Sequence, residues 1–175
     1  MGTDKAFVEV AGVPMAERVA GSLAAAGCEP VVFVGGDAAL LARFGRPVHA
    51  DRFPDQGPGG GVVTALNAVD DDVVIAACDL PLLSARTVSA LIAAVTDDID
   101  VVVAATDRMQ PALAWWSAAS RPVVERLWAE GRRSLHELVE SMPMRAVTVD
   151  AVSVRNVNTA GELADAEALL GTLAE

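Results

Sequence analysis

The stretch VVIAACDLP, residues 73–81, decides the fold. Val73, Val74 and Ile75 are β-branched, and the apolar run is too short for a helix. Asp79 and Pro81 then close it, since proline cannot donate to a sheet ladder. Such a run reads as a strand buried on both faces, as in a parallel sheet covered by helices. The same signature returns on either side. PVVFVGGD at 30–37 closes on Gly35-Gly36, and residues 99–105 form a third buried run.

Between these runs the apolar spacing turns helical. Met15, Val19, Leu23 and Ala26 share one face, and Gly27 supplies a C-terminal cap. Short helices are expected over 38–44 and 62–68, with the Pro/Gly stretch FPDQGPGGG at 53–61 read as a loop. Ser84 caps a helix carrying Val88, Leu91, Ile92 and Val95, and residues 121–128 read as another. Ser134 opens a short helix, and the Thr159/Glu162 capping box opens a last one with Leu163, Ala166, Leu170 and Leu173 inward. Further strands are expected at 7–10, 48–50, 113–116 and 145–149. Repeated βα units predict an α/β fold with a mostly parallel sheet and helices on both faces. Ligands of such folds bind at the carboxyl ends of the strands, so the loops after residues 34, 50 and 77 are the ones to search.

Composition narrows the class. The chain has 175 residues, 53% hydrophobic and only 4% aromatic with no Tyr, which suits one domain over 1–175 built on Ala, Val and Leu. A net charge of −11 argues against nucleic acid or an anionic membrane as partner. The absence of a long apolar run or signal-peptide layout gives a cytoplasmic protein as the expectation. Cys28 and Cys78 lie in apolar surroundings and read as core thiols. Trp115, Trp116 and Trp128 read as packing residues, and His49 and His136 are too far apart to suggest a triad.

Six places could carry chemistry. Asp79 leaves a buried strand at the ligand edge, where a hard carboxylate oxygen can hold Mg²⁺ beside phosphates. The competing role is a turn acid accepting backbone N–H bonds. Asp51 ends its own short strand, with the same alternatives. Gly57 to Gly61 let backbone approach a ligand closely or permit a turn into a helix. Lys5 follows Met1-Gly2-Thr3-Asp4, which reads like the back half of a glycine-rich phosphate loop; otherwise it is a solvated surface charge. Asn156 and Asn158 share a face of an extended segment and either read a polar ring or fix a loop. Arg132 and Arg133, ahead of a helix start, form an anion site or a solvated basic face.

Taken in order, MGTDKA, GVPMAERV, DQGPGGGVVTAL, AACDLP, RMQPALAWW, GRRSLHEL and NVNTAGELADAE resemble the molybdenum cofactor guanylyltransferases along nearly the whole chain. The resemblance implies a Rossmann-like nucleotidyltransferase fold and an Mg²⁺-dependent enzyme. That enzyme transfers GMP from GTP to molybdenum-bearing molybdopterin, releasing pyrophosphate. It implies catalytic roles for Lys5 and Asp79, with Asp79 as the metal ligand. Lys5, Asp51, Gly60, Gly61 and Asp79 would bind nucleotide, and Gln110, Arg132, Ser134 and Asn158 would lie toward the pterin. The implied partners are GTP, molybdopterin and a molybdoenzyme or cofactor-delivery protein, with the chain acting as a monomer. Alternatives are a CTP-using or other nucleotidyltransferase of this fold, or a non-catalytic pterin- or nucleotide-binding module. Members of the family carry a buried strand and a Leu-Ala-Gly-Gly loop ahead of the Asp-Lys pair. That first strand and loop are missing from this sequence, and the natural chain is therefore expected to start upstream of Met1.

Overall fold

Val101, Val102, Val103 and Ala104 have no access to solvent, so the strand that carries them has a greasy face on both sides. In the computed structural model, which describes residues 5–173, this strand (β6, Val101–Ala105) lies in a four-stranded sheet. Its neighbours are β7 (Met109–Trp116) and β8 (Met144–Thr148), with β5 (Val73–Ala76) beyond β7. β6 pairs parallel with β8, while β5 and β6 each pair antiparallel with β7. β5, β6 and β8 thus point one way and β7 runs against them. The parallel bias survives in direction, but the sheet is mixed.

Period-two alternation divides the core into two layers. On one face Val102, Ala104, Leu113 and Trp115 meet α1 (Met15–Ala25) and α4 (Ala85–Ala93) through Val19, Leu23, Val88 and Leu91. On the other, Val101, Val103, Ala114 and Trp116 meet three helices, α3 (Pro58–Ala68), α5 (Arg121–Ala129) and α6 (Leu135–Glu140). Leu66, Val124, Trp128 and Leu138 fill that layer. The three tryptophans pack, as expected. α1 ends as its sequence requires: Gly27, at φ 89°, donates to the Ala24 carbonyl and Cys28 donates to that of Leu23. Among the described residues no helix is long and apolar enough to cross a membrane.

Several elements depart from the pattern read in the sequence. The expected strand at 7–10 is a 3-10 turn at Lys5–Phe7 followed by a two-residue strand. That strand, β1 (Glu9–Val10), forms a hairpin with β2 (Val13–Pro14) across Ala11 and Gly12, both at positive φ. PVVFVGGD yields only β3 (Phe33–Val34), paired parallel with β4 (Val48–His49). β3 and β5 are half-buried rather than fully buried. Each is an end strand of its own sheet among the described residues, and an end strand keeps one edge unpaired. Cys78 is exposed rather than in the core, because the chain is already turning out of β5. Cys28 is half-buried, and that burial pushes its thiol pKa up. Short α2 (Ala38–Leu41) is capped by Asp37. α7 (Ala160–Leu173) begins at the Thr159/Glu162 box, with Ala166 inward. The Leu173 side chain and Met1 to Asp4 lie outside the described residues.

Of the stretch read as a loop, 53–61, the last four residues are helix. Pro58 takes the first helical position, where its missing N–H costs nothing, and Gly59 to Gly61 follow inside the first turn. At Gly59 and Gly60 contact favours glycine. A Cβ on Gly59 would stand 2.7 Å from the Arg133 carbonyl oxygen, and one on Gly60 would stand 3.1 Å from the Phe53 Cβ. Gly61 faces open space. Gly59→Ala is therefore expected to destabilise the fold by about 1–3 kcal/mol, whereas Gly61→Ala gains up to about 1 kcal/mol of helix propensity. Urea unfolding of the two variants distinguishes these outcomes.

A second prediction concerns the α7 cap. Glu162 Oε2 accepts from the Asn158 N–H, the Thr159 hydroxyl and the Thr159 N–H, which in that order hold its carboxyl below the ordinary glutamate range; Lys5 adds a smaller pull. A depressed folded-state pKa gives stability that is present above the unfolded value and lost as pH falls through the folded one. The Tm gap between the wild type and Glu162→Ala is thus expected to be widest near neutral pH and to close on acidification below the glutamate range.

Candidate active site

The carboxyl ends of β3, β4, β5 and β6 gather most of the polar residues singled out above, in two groups. The first is built around the exit from β5. Ala77 still donates to the Ala112 carbonyl of β7, and the chain then turns, leaving Asp79 at the rim. The Asp79 carbonyl accepts from the Val157 N–H at 2.9 Å, and its Oδ2 accepts from Asn156 Nδ2 at 3.2 Å. Among the described residues, Asp79 Oδ1 is buried and has no hydrogen-bond partner. Two residues further along the same segment, Asn158 Oδ1 accepts from Lys5 Nζ at 2.5 Å. Lys5 is the chain's only lysine. An acid and a cation from distant parts of the sequence are thus brought to opposite ends of one three-residue bridge.

An unpartnered, buried carboxylate oxygen is costly unless something binds it. Asp79 Oδ1 is a hard oxygen donor, which suits Mg²⁺. Among the described residues no group of three or more His, Cys, Asp or Glu stands together. A single carboxylate still fits that ion, because Mg²⁺ keeps water and substrate phosphates as its other ligands.

The second group surrounds the start of α3. Asp51 follows β4 and sits against the Gly35 turn after β3, where a Cβ on Gly35 would lie 3.4 Å from its own. Its Oδ1 accepts from the Phe53 N–H at 2.9 Å and from the Thr64 hydroxyl at 3.0 Å. Thr64 in turn accepts from the Arg52 N–H. Asp51 is therefore committed to fixing the loop that leads to Gly57–Gly61. Gly60 is buried under Phe53 and Trp128, while Gly61 is half-exposed on the open side of the helix start.

The two arginines ahead of α6 divide their work. The Arg133 guanidinium lies 3.9 Å from the Trp128 ring centroid and donates to the Trp128 carbonyl, so it braces the wall of the site. Arg132 is exposed and meets Glu137 only at 3.7 Å. Ser134 stands at the N-cap of α6 without a side-chain capping bond. Gln110 lies where β7 begins, opposite Ala104, just after the register shifts between Val103 and Ala104; its amide donates to Thr106. Pro111, which cannot donate to the ladder, follows it.

Lys5 is thus bonded to Asn158, and Asp79 to Asn156 and Val157 of the same segment, while Asp51 reaches the Gly57–Gly61 turn only through Phe53 and Thr64. Gln110 belongs to neither group and lies at the start of β7, beside the end of β6. Two contributors carried little sequence signal. Thr64 is one hydroxyl within a helix, and no pattern marks it as the partner of Asp51. Asn156 shares its motif with Asn158, but its grip on Asp79 depends on a 77-residue separation that only folding reveals.

Three comparisons agree with this architecture. A molybdenum cofactor guanylyltransferase from Desulfosudis oleivorans is 30% identical over 179 residues, covering 97% of this chain and 88% of that protein. A probable molybdenum cofactor guanylyltransferase from Carboxydothermus hydrogenoformans is 35% identical over 128 residues, covering 72% of this chain. That match spans 64% of the relative's length, just under two thirds. The solved structure of molybdopterin-guanine dinucleotide biosynthesis protein A from Archaeoglobus fulgidus superposes with a TM-score of 0.78. It is 23% identical and covers 98% of this chain and 92% of that one, which establishes the shared fold. Residues 1–147 match the family model of the MobA-like NTP transferase domain, and the chain belongs to that family of nucleotidyltransferases.

Proposed function

We propose that this chain transfers GMP from GTP to molybdenum-bearing molybdopterin, yielding the guanine dinucleotide form of the cofactor and pyrophosphate. One observation carries the reading: Lys5 and Asp79 are tied to the same short segment, residues 156–158, at the ligand edge of the sheet. The names of the relatives supply the substrates, and the fold supplies the edge at which they would bind.

In such a transfer the terminal phosphate oxygen of the pterin attacks the α-phosphorus of GTP. A P–O bond forms to the pterin phosphate as the bond between the α-phosphorus and the bridging oxygen breaks, and pyrophosphate leaves. No side chain need become a nucleophile. The protein's contribution is to align two anions and offset the charge that grows on the leaving group. The Lys5 ammonium would meet that charge. Asp79 would hold Mg²⁺ through Oδ1, and the bound ion would supply charge neutralisation beside the phosphates. Asp51, through Thr64 and Phe53, keeps the turn into α3 in place, so that the open N-terminal backbone near Gly61 faces the nucleotide. Exposed Arg132 and Ser134, together with Gln110, are the groups left to receive the pterin. The acceptor molybdoenzyme, a cytoplasmic location and a monomeric state belong to this same proposal.

The reading is tested by pyrophosphate release with GTP, CTP and molybdenum-loaded molybdopterin. Release is expected with GTP, to stop when Mg²⁺ is chelated, and to fall by roughly 100-fold or more in Asp79→Asn. Preference for CTP would overturn the choice of base. Unchanged release in Asp79→Asn would remove the metal role, and no release with either nucleotide would leave a binding module.

A further inference from the structure

A cation that must neutralise phosphate oxygens needs to be held in place without losing its charge. The structure meets both needs at Lys5. Its ammonium has only donors to offer, and Asn158 turns its amide oxygen toward it at 2.5 Å. A carboxylate at that position would fix the ammonium equally well but cancel its charge before a triphosphate arrived. A neutral acceptor fixes it and leaves most of the charge available, because the Glu162 carboxylate interacts with it only weakly.

Asn158 is itself held. Its backbone N–H donates to Glu162 Oε2 at 2.8 Å, and the same oxygen accepts from the Thr159 N–H at 2.9 Å and the Thr159 hydroxyl at 3.1 Å. One residue earlier, Val157 is fully buried among Val10, Met15, Leu82 and Ala166, and its N–H grips the Asp79 carbonyl. Asn156 then reaches Asp79 Oδ2. The segment is anchored by packing in its middle, by the α7 cap at one end and by Asp79 at the other. It therefore fixes the separation between the Lys5 and Asp79 charges.

We infer that Asn158 is a positioning residue that holds the Lys5 ammonium at a set distance from Asp79, with Glu162 locking Asn158 in place. This rests on the nucleotidyl-transfer reading above and moves Asn158 from the pterin side to the nucleotide side. Its amide oxygen is already occupied by the cation. The arrangement also explains why an asparagine serves here: aspartate has nearly the same shape but the wrong charge.

The test compares Asn158→Ala, Asn158→Asp, Lys5→Gln and the double variant Lys5→Gln/Asn158→Ala. Mg²⁺·GTP affinity is measured by calorimetry, and the acylation rate of the chain's single lysine by mass spectrometry. In Asn158→Ala, affinity is expected to fall roughly five- to tenfold, the scale of one hydrogen bond, and Lys5 acylation to speed up by a similar factor. In Asn158→Asp, affinity falls while Lys5 stays protected. The double variant binds no more weakly than Lys5→Gln alone, because Asn158 acts through that lysine. A merely structural Asn158 would give additive losses in the double variant, and that result overturns the inference. So does an acylation rate unchanged in Asn158→Ala. If the wild type binds no Mg²⁺·GTP, the nucleotidyl-transfer reading fails, and the acylation rates alone then decide whether Asn158 holds Lys5.

Discussion

The structure depends on one strand that can face water on neither side. Every residue of β6 from Val101 to Ala104 is fully buried, so helices must cover both faces of the sheet around it. Burying an apolar side chain is worth about 1.5–3 kcal/mol. A strand satisfied on both faces therefore organises two cores at once. β7 extends both layers, sending Leu113 and Trp115 one way and Ala114 and Trp116 the other. α1 and α4 follow from the first layer, and α3, α5 and α6 from the second.

That layering places the chemistry. Helices occupy both faces, so the carboxyl ends of the strands form the rim where polar residues can collect. The rim is stiffened by contacts that close long gaps in sequence. Lys5 meets Asn158 across 153 residues, and Asp79 meets Asn156 across 77. The apolar anchor of the bridge, Val157, belongs to a third cluster shared by the β1–β2 hairpin, the loop after Asp79 and α7. Packing remote from the rim thus fixes the spacing of charges on it.

Much of this was legible in the sequence because it follows from local periodicity. The β-branched runs, the Gly27 stop and the Ser84 and Glu162 caps each resolve as their spacing requires. The family resemblance supplied the functional class. What failed to show was decided by tertiary contact. Gly59 to Gly61 look like loop residues, and only the Arg133 carbonyl and the Trp128 ring explain why a helix begins there with glycine. The run at 73–76 reads as doubly buried, yet burial depends on neighbouring strands, which no local pattern specifies. The orphaned oxygen of Asp79 likewise has no signature beyond the acid itself.

The surroundings of Trp128 have an optical consequence. The chain has no tyrosine, so its ultraviolet emission comes from three indoles. Trp115 and Trp116 sit in the two layers of the sheet at the end of β7 away from the rim, beside Val73 and Val101. Trp128 alone rests against Phe53, the guanidinium of Arg133 and the first turn of α3. Any ligand that shifts those loops changes the surroundings of one fluorophore in three, giving the molecule a built-in reporter beside the start of α3.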